Sequence, residues 1–386
     1  MSTSVNNTSG EIRDEIKDLE TQELTINMGP QHPSTHGVLR VEIVSDGEII
    51  KGAYPEIGYL HRCFEKHSEN REYLQVVPFV DRMDYIAAMN MELGYCLALE
   101  KLLQVEIPER AQGIRVIVSE LNRIASHLLA LGTYSLDIGG FTPFLYAFRD
   151  REKILRIFEE ICGARLLYNY IRPGGVARDI SKGVQEKIAD FCKYFVPQLD
   201  EINDLLSGNL IFVNRTANIG VISPDMAVGY GLSGPNLRGS GVNWDLRKVH
   251  PYSGYEKYDF DVCLGTAEKG VVGDCWNRYY VRIKEMYQSI RIIEQALKAL
   301  PEGASMGAVP KSLKPNGEVY MQTECPRGTL GYHIVADGTK RPHRVKAKSP
   351  CFIAVSTIDE MCAGMMLADV VAYLGSLDIV LGEVDR

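Results

Sequence analysis

RAQGIRVIVSELNRIASHLLAL, residues 110–131, carries apolar residues at Ile114, Ile117, Val118, Leu121, Ile124, Ala125 and Leu128. This i, i+3, i+4, i+7 spacing gives a long helix one apolar face, which must be buried against a neighbour. Related patterns recur at 82–103, 142–163, 184–206 and 273–300. Long helices joined by short connections predict an antiparallel bundle. The 386 residues are enough for two or three sub-domains around a sizeable core.

The pattern changes on both sides of these helices. ELTINM, VLRVEIV and EIIKGAY, within 23–54, are separated by GPQHPSTHG and SDG and read as a small β unit. Residues 207–265 are rich in Gly, Pro, Asn and Tyr and predict irregular structure with short helices. Between 317 and 356, EVYMQT, GYHIVAD, HRVKAK and CFIAVS predict short strands, followed by a final helix over about 357–372. The fold class is therefore α+β, mainly α: a long-helix bundle core, a small N-terminal β unit and a C-terminal α/β part. The expected organisation is a flexible tail over 1–22, the β unit over 23–62 and the bundle over 63–206. A Gly/Pro-rich segment over 207–272 and a closing part over 273–386 complete it.

Composition excludes some functions. A formal net charge of −8 does not suit a nucleic-acid surface, which needs a basic face. The polar, acidic start MSTSVNNTSGEIRDEIKDLE lacks the apolar stretch of a secretory signal and reads as a mobile tail or a partner-bound arm. No segment reaches the ~18 unbroken apolar residues of a membrane span. The nine cysteines are never closer than eleven positions, so there is no CxxC. They read as reduced, mostly buried thiols. The spacing also argues against an iron–sulfur cluster held by this chain alone.

GPQHPSTHG, 29–37, sets His32 and His36 in a turn that prolines and glycines keep from being a helix. Metal ligation, ordinary loop hydrogen bonding and a donor aimed by a stiff frame are all open from spacing alone. Asp137 follows a helical pattern and is either a helix-end carboxylate or a partner for a histidine. Tyr85, in FVDRMDYIAAMN, reads locally as packing with a surface hydroxyl. HRCFEKH, 61–67, reads as a solvated helix face. VGYGLSGPNLRGSG contains Gly229, Gly231 and Gly234, a literal GxGxxG. It lacks the strand-to-helix setting of a dinucleotide site and carries Pro235, so it reads as a packing loop.

GPQHPSTHGVLR, IGYLHRCFEK, RMDY, ELNRIASHLLALGT, FTPFLYAFRDRE, YIRPGGV, GVNWDLRK, YSGYEKYDFDV and SLDIVLGEVDR occur in this order between about residue 24 and 386. Together they resemble the D subunit of respiratory complex I, the 49-kDa-type subunit of NADH-quinone oxidoreductase. That family is related to the large subunit of nickel–iron hydrogenases, whose fold the resemblance implies. Hydrogenases hold metal with two CxxC pairs, and the matching positions here are Asp84 and Ala87, then Val380 and Glu383. Without those thiolates, nickel–iron chemistry has no ligands.

The resemblance implies a subunit that builds the quinone site of a proton-translocating complex, binds no metal itself and is not active as an isolated chain. His36 and Tyr85 match the family's quinone-binding histidine and tyrosine, and Asp137 its histidine-paired carboxylate. Two donors converging from opposite ends of the ring would stabilise charge built up by two-electron reduction and then give protons. Loss of the His36 proton would leave Asp137 without its partner, a change that could drive rearrangement coupled to pumping. Arg62 matches an arginine near the iron–sulfur cluster carried by the B-type subunit. Implied partners are the B-, C- and I-type peripheral subunits and the H- and A-type membrane subunits, on the cytoplasmic side of a bacterial inner membrane. Electrons would come from NADH or ferredoxin through clusters on other subunits.

One departure stands out. Before YIRPGGV, where many relatives carry histidines proposed to make the cluster's potential pH-dependent, this chain has Leu167 and Tyr168. A weaker pH dependence is implied. The competing readings are a hydrogenase-like catalytic subunit and a scaffold whose quinone residues are relics. The scaffold reading expects His36, Tyr85 and Asp137 to lie apart.

Overall fold

The computed structural model describes residues 23–386, and the tail expected over 1–22 lies outside the described residues. Strands β1 (Glu23–Met28), β2 (Arg40–Asp46) and β3 (Ile49–Glu56) form an antiparallel sheet in that order, with Met28 opposite Val41 and Arg40 opposite Glu56. Alternation in β2 buries Val41, Ile43 and Ser45 on one side. The sheet packs against the last part of the chain: Ile50 N–H donates to the Met365 carbonyl and Leu367 N–H to that of Glu48. A core of Val41, Ile43, Ile50, Leu374, Leu377 and Val384 follows. It brings the GPQHPSTHG loop, between β1 and β2, to the C-terminus.

The long helices are α1 (Ala88–Leu103), α2 (Glu109–Asp137), α3 (Phe141–Cys162), α4 (Lys182–Ser207) and α5 (Cys275–Lys298). α2 packs on α3 and α5, and α4 packs on the same two, so four helices close a ring. α2 is buried along most of its length, and Ile114, Ile117, Leu121, Ile124 and Leu128 enter the core as the spacing predicts. α1 lies between α2 and a second antiparallel sheet, β4 (Asn316–Cys325), β5 (Gly328–Asp337) and β6 (Arg344–Lys348).

Three sequence expectations need correction. The helix expected from 82 starts at Ala88. Asp84 Oδ1 accepts from Ile86 and Ala87 N–H at 3.2 and 3.3 Å, and this local turn competes with helical pairing. CFIAVS is not a strand but part of α6 (Pro350–Val355). Ser349 caps it by accepting from Phe352 N–H at 3.1 Å, and Pro350 suits the first turn. The final helix expected over 357–372 is two, α7 (Ile358–Cys362) and α8 (Leu367–Leu377), and a further short helix, α9 (Leu381–Asp385), follows. Gly364, at φ +83°, breaks the run in a conformation open to glycine.

Of the GxGxxG glycines, Gly229 lies in a short helix, Pro224–Tyr230, Gly231 ends it, and Gly234 opens another, Gly234–Gly239, without a preceding strand. A Cβ on Gly234 would stand 2.4 Å from Gly328 Cα, so that glycine serves close packing.

Candidate functional site

The GPQHPSTHG loop is braced by its own side chains. His32 caps a single 3₁₀ turn, Pro33–Thr35, with Nδ1 accepting from Ser34 N–H at 3.2 Å. The buried Thr35 hydroxyl donates to the His32 carbonyl at 2.8 Å and bridges to that of Gly37. His36 then takes a left-handed conformation, φ +53°, which turns its ring from the loop toward the end of α2.

Asp137 is the last residue of α2. Its Oδ2 lies 2.5 Å from His36 Nε2, with side-chain exposures of 8% and 14%. The pair is sheltered yet open on one side. Close approach of α8 makes room: a Cβ on Gly375 would stand 2.4 Å from Tyr134 Cδ2 and 3.1 Å from Asp137 Oδ2.

Tyr85 projects from the turn that interrupts the expected helix. The same Asp84 turn that delays α1 therefore frees Tyr85 from helical geometry. Burial, and then the charge of Asp84, raise the phenol's pKa above its ordinary value. A Cβ on Gly382 would come within 3.3 Å of the tyrosine Cε1 and 2.8 Å of the Met83 carbonyl, so α9 packs directly against this turn.

His36, Tyr85 and Asp137 line one cavity of about 410 Å³, with Pro33, Leu129 and Val380 among its apolar walls. Its polar groups are few and come from different parts of the chain, as in small-molecule sites. Arg62 is not in its lining: it lies outside, exposed, donating to the Arg82 carbonyl. Its positive charge nevertheless acts on Tyr85. Leu167 is half-buried, while Tyr168 is buried with its ring edge against Phe158.

Local sequence reasoning missed Arg327, Asp378 and Thr133 in the cavity wall. Arg327 Nη1 lies 2.7 Å from Asp84 Oδ2 and 3.1 Å from Ser126 Oγ, and Nη2 lies 3.3 Å from Asp378 Oδ1. This fully buried guanidinium ties the Tyr85 turn, α2 and the C-terminus together. Asp378 was visible only as part of SLDIVLGEVDR, and TECPRGTL gave no local signal for Arg327. Asp84 and Glu383 are buried in the same cluster. Among the described residues, no three His, Cys, Asp or Glu side chains converge as a metal-binding group.

The family model for the respiratory-chain NADH dehydrogenase 49-kDa subunit matches residues 137–315 and 306–386. The chain is 54% identical over 375 residues to the NADH-quinone oxidoreductase D subunit of Chlorobaculum tepidum, covering 96% of this chain and 94% of that one. It is 55% identical, over the same shares, to the D subunit of Prosthecochloris aestuarii.

The chain belongs to the 49-kDa subunit family.

A relative from Solibacter usitatus, named as the D 2 subunit of NADH-quinone oxidoreductase, is 54% identical over 95% of this chain and 98% of its own. For a 49-kDa-type chain, the hydrogenase-like, mainly helical fold is the one described above. The cavity lies where the N-terminal sheet loop, the end of α2 and the C-terminus meet.

Proposed function

We propose that this chain is the quinone-site subunit of a proton-translocating NADH-quinone oxidoreductase, and that the cavity at His36, Tyr85 and Asp137 takes the quinone head group. The carrying observation is the lining of one cavity by an imidazole, its carboxylate partner and a phenol. A quinone oxygen that gains negative charge needs donors already in place, and a phenol whose pKa is raised stays protonated and ready to donate. Asp137 holds the imidazole's orientation through the contact between Oδ2 and Nε2. The apolar walls seat the ring.

In this reading, electrons reach the quinone from an iron–sulfur cluster on a B-type partner, and Arg62, outside the cavity, is a cation near that cluster. The other contacts are C- and I-type peripheral subunits and H- and A-type membrane subunits. Among the described residues, no helix is long and apolar enough to cross a membrane. Attachment to the cytoplasmic face of a bacterial inner membrane would then run through the partners.

The scaffold reading loses support because the three residues share a cavity rather than lying apart. The hydrogenase reading finds Asp84, Ala87, Val380 and Glu383 where thiolates are needed. Irradiating the assembled complex with an azido-quinone tests the proposal. Labelling within 33–37, 85–86, 129–137 or 378–380 is expected, and competition by excess quinone should remove it. Labelling of this chain only outside the cavity lining contradicts it, as would stoichiometric nickel on this chain.

A further inference from the structure

From Arg327 and Asp378 in the cavity wall inward runs a buried cluster in which the charges do not pair off. Arg327 faces Asp84 at 2.7 Å and Asp378 at 3.3 Å, and Arg282 Nε lies 3.8 Å from Asp378 Oδ2. Two guanidiniums are thus matched by two carboxylates. Glu383 is the third carboxylate. It is fully buried, and neither oxygen has a hydrogen bond from an N–H or O–H donor, although the Cys351 thiol lies alongside.

The charged and titratable groups facing Glu383 come from every side. They are Asp84 from the Tyr85 turn, Arg327 and Cys325 from the β4–β5 hairpin, and Tyr332 from β5. Cys351 of α6 and Asp378 before α9 complete the set. Only Arg327 among them is positive, and it is engaged by the two aspartates. An ionised carboxylate there would lack compensation, so the neutral acid is the stable form. Burial, followed by the charge of Asp84, pushes the carboxyl up to about 8.

Position gives this acid a use. Glu383 directly follows Gly382, which packs against the Tyr85 ring, and Val380, one turn earlier, lines the cavity. Asp84, whose charge acts on both Glu383 and Tyr85, is the residue before Tyr85. The carboxyl and the phenol thus share neighbours, Asp84, Arg327 and Cys351, with Gly382 between them in the packing and no direct hydrogen bond.

We infer that Glu383 is the proton reserve of the cavity, returning to Tyr85 the proton that the phenol gives to the reduced quinone. The inference rests on the quinone reading above. Quinone takes two electrons from the partner-borne carrier and two protons, one from the His36–Asp137 pair and one from the Tyr85 hydroxyl. The resulting phenolate takes the Glu383 proton: the carboxyl O–H bond breaks and the phenol O–H bond forms. Glu383 is left as a carboxylate and regains a proton from water. The transfer runs from the stronger acid to the conjugate base of the weaker one, as proton return requires. Glu383 supports Tyr85 and does not itself touch substrate.

Glu383→Gln in the assembled complex tests this, because glutamine keeps the shape and neutrality of the resident acid but carries no transferable proton. Quinone reduction is expected to fall by about 100-fold, with KM for a short-chain quinone and electron transfer to an artificial acceptor unchanged. The alkaline decline associated with Glu383 should vanish from the pH profile, and Glu383→Asp should restore a titrating profile with part of the rate. A wild-type rate and profile in Glu383→Gln overturn the inference, since a merely structural acid is fully replaced by its amide. If Glu383→Gln does not assemble, infrared difference spectra of the wild-type complex decide. Reduction should reveal loss of a carboxylic-acid carbonyl band that shifts in D₂O, and its absence overturns the inference. Tyr85→Phe, run in parallel, separates the failures. If it leaves quinone reduction intact, the quinone reading itself falls. If it abolishes quinone reduction while Glu383→Gln behaves as wild type, only the proton reserve falls.

Discussion

His36 Nε2 lies 2.5 Å from Asp137 Oδ2, across 101 positions of sequence. The imidazole comes from a loop stiffened by Thr35, and the carboxylate from the end of the longest helix. The contact exists because the N-terminal sheet and α2 both pack on the C-terminal helices. Asp137→Asn keeps the volume and removes the carboxylate that orients the imidazole. Quinone reduction should fall by about 100-fold, while assembly and artificial-acceptor activity remain. An unchanged quinone rate contradicts a role for the pair.

Arg327 joins Asp84, Ser126 and Asp378 in a buried network. Arg327→Met leaves the buried Asp84 without its cation and Asp378 with only Arg282, at 3.8 Å, a loss of about 3–5 kcal/mol. Reduced assembly and a lower thermal midpoint are expected. Adding Asp84→Asn should recover part of the loss, because it removes one of the stranded charges. A double variant no better than the single one would show that the pair is not coupled.

Much of this architecture was legible in the primary structure. The bundle helices announced themselves because their apolar residues repeat every three or four positions over many turns. The start of α1 did not, since Asp84 captures the amides of Ile86 and Ala87, a side-chain effect that periodicity does not register. CFIAVS has a strand's composition, but Ser349 and Pro350 make it a helix start. His36, Tyr85 and Asp137 were legible through family resemblance, and their convergence needed the fold. Arg327 was hidden because its partners are 201 and 243 positions away in α2 and the Tyr85 turn.

Glu383 also predicts how stability depends on pH. Its carboxyl titrates near about 8 when folded, against 4.5 for an ordinary glutamate. Below the lower value both folded and unfolded chains hold the proton. Between the two, only the folded chain does, so its stability decreases as pH rises through this window. The thermal inactivation temperature of the assembled complex should fall from about pH 6 to about pH 8 more steeply in the wild type than in Glu383→Gln. Equal slopes would show that Glu383 does not hold its proton.

Leu167 and Tyr168 stand where many relatives carry histidines. Tyr168 is buried, and burial raises its phenol pKa, so it does not titrate near neutrality. The midpoint potential of the partner's terminal cluster should therefore change by much less than about 59 mV per pH unit around neutrality. Potentiometric titration across that range checks this, and a full one-proton slope contradicts it.

The central claim is that Tyr85 is a head-group donor. Tyr85→Phe removes one hydroxyl from a buried ring and leaves the packing of Gly382 against it unaltered. In membranes carrying the assembled complex, donor-to-quinone activity should collapse while donor-to-artificial-acceptor activity, which bypasses the cavity, stays at the wild-type level. If both activities persist, the cavity at His36, Tyr85 and Asp137 is not where the quinone is reduced.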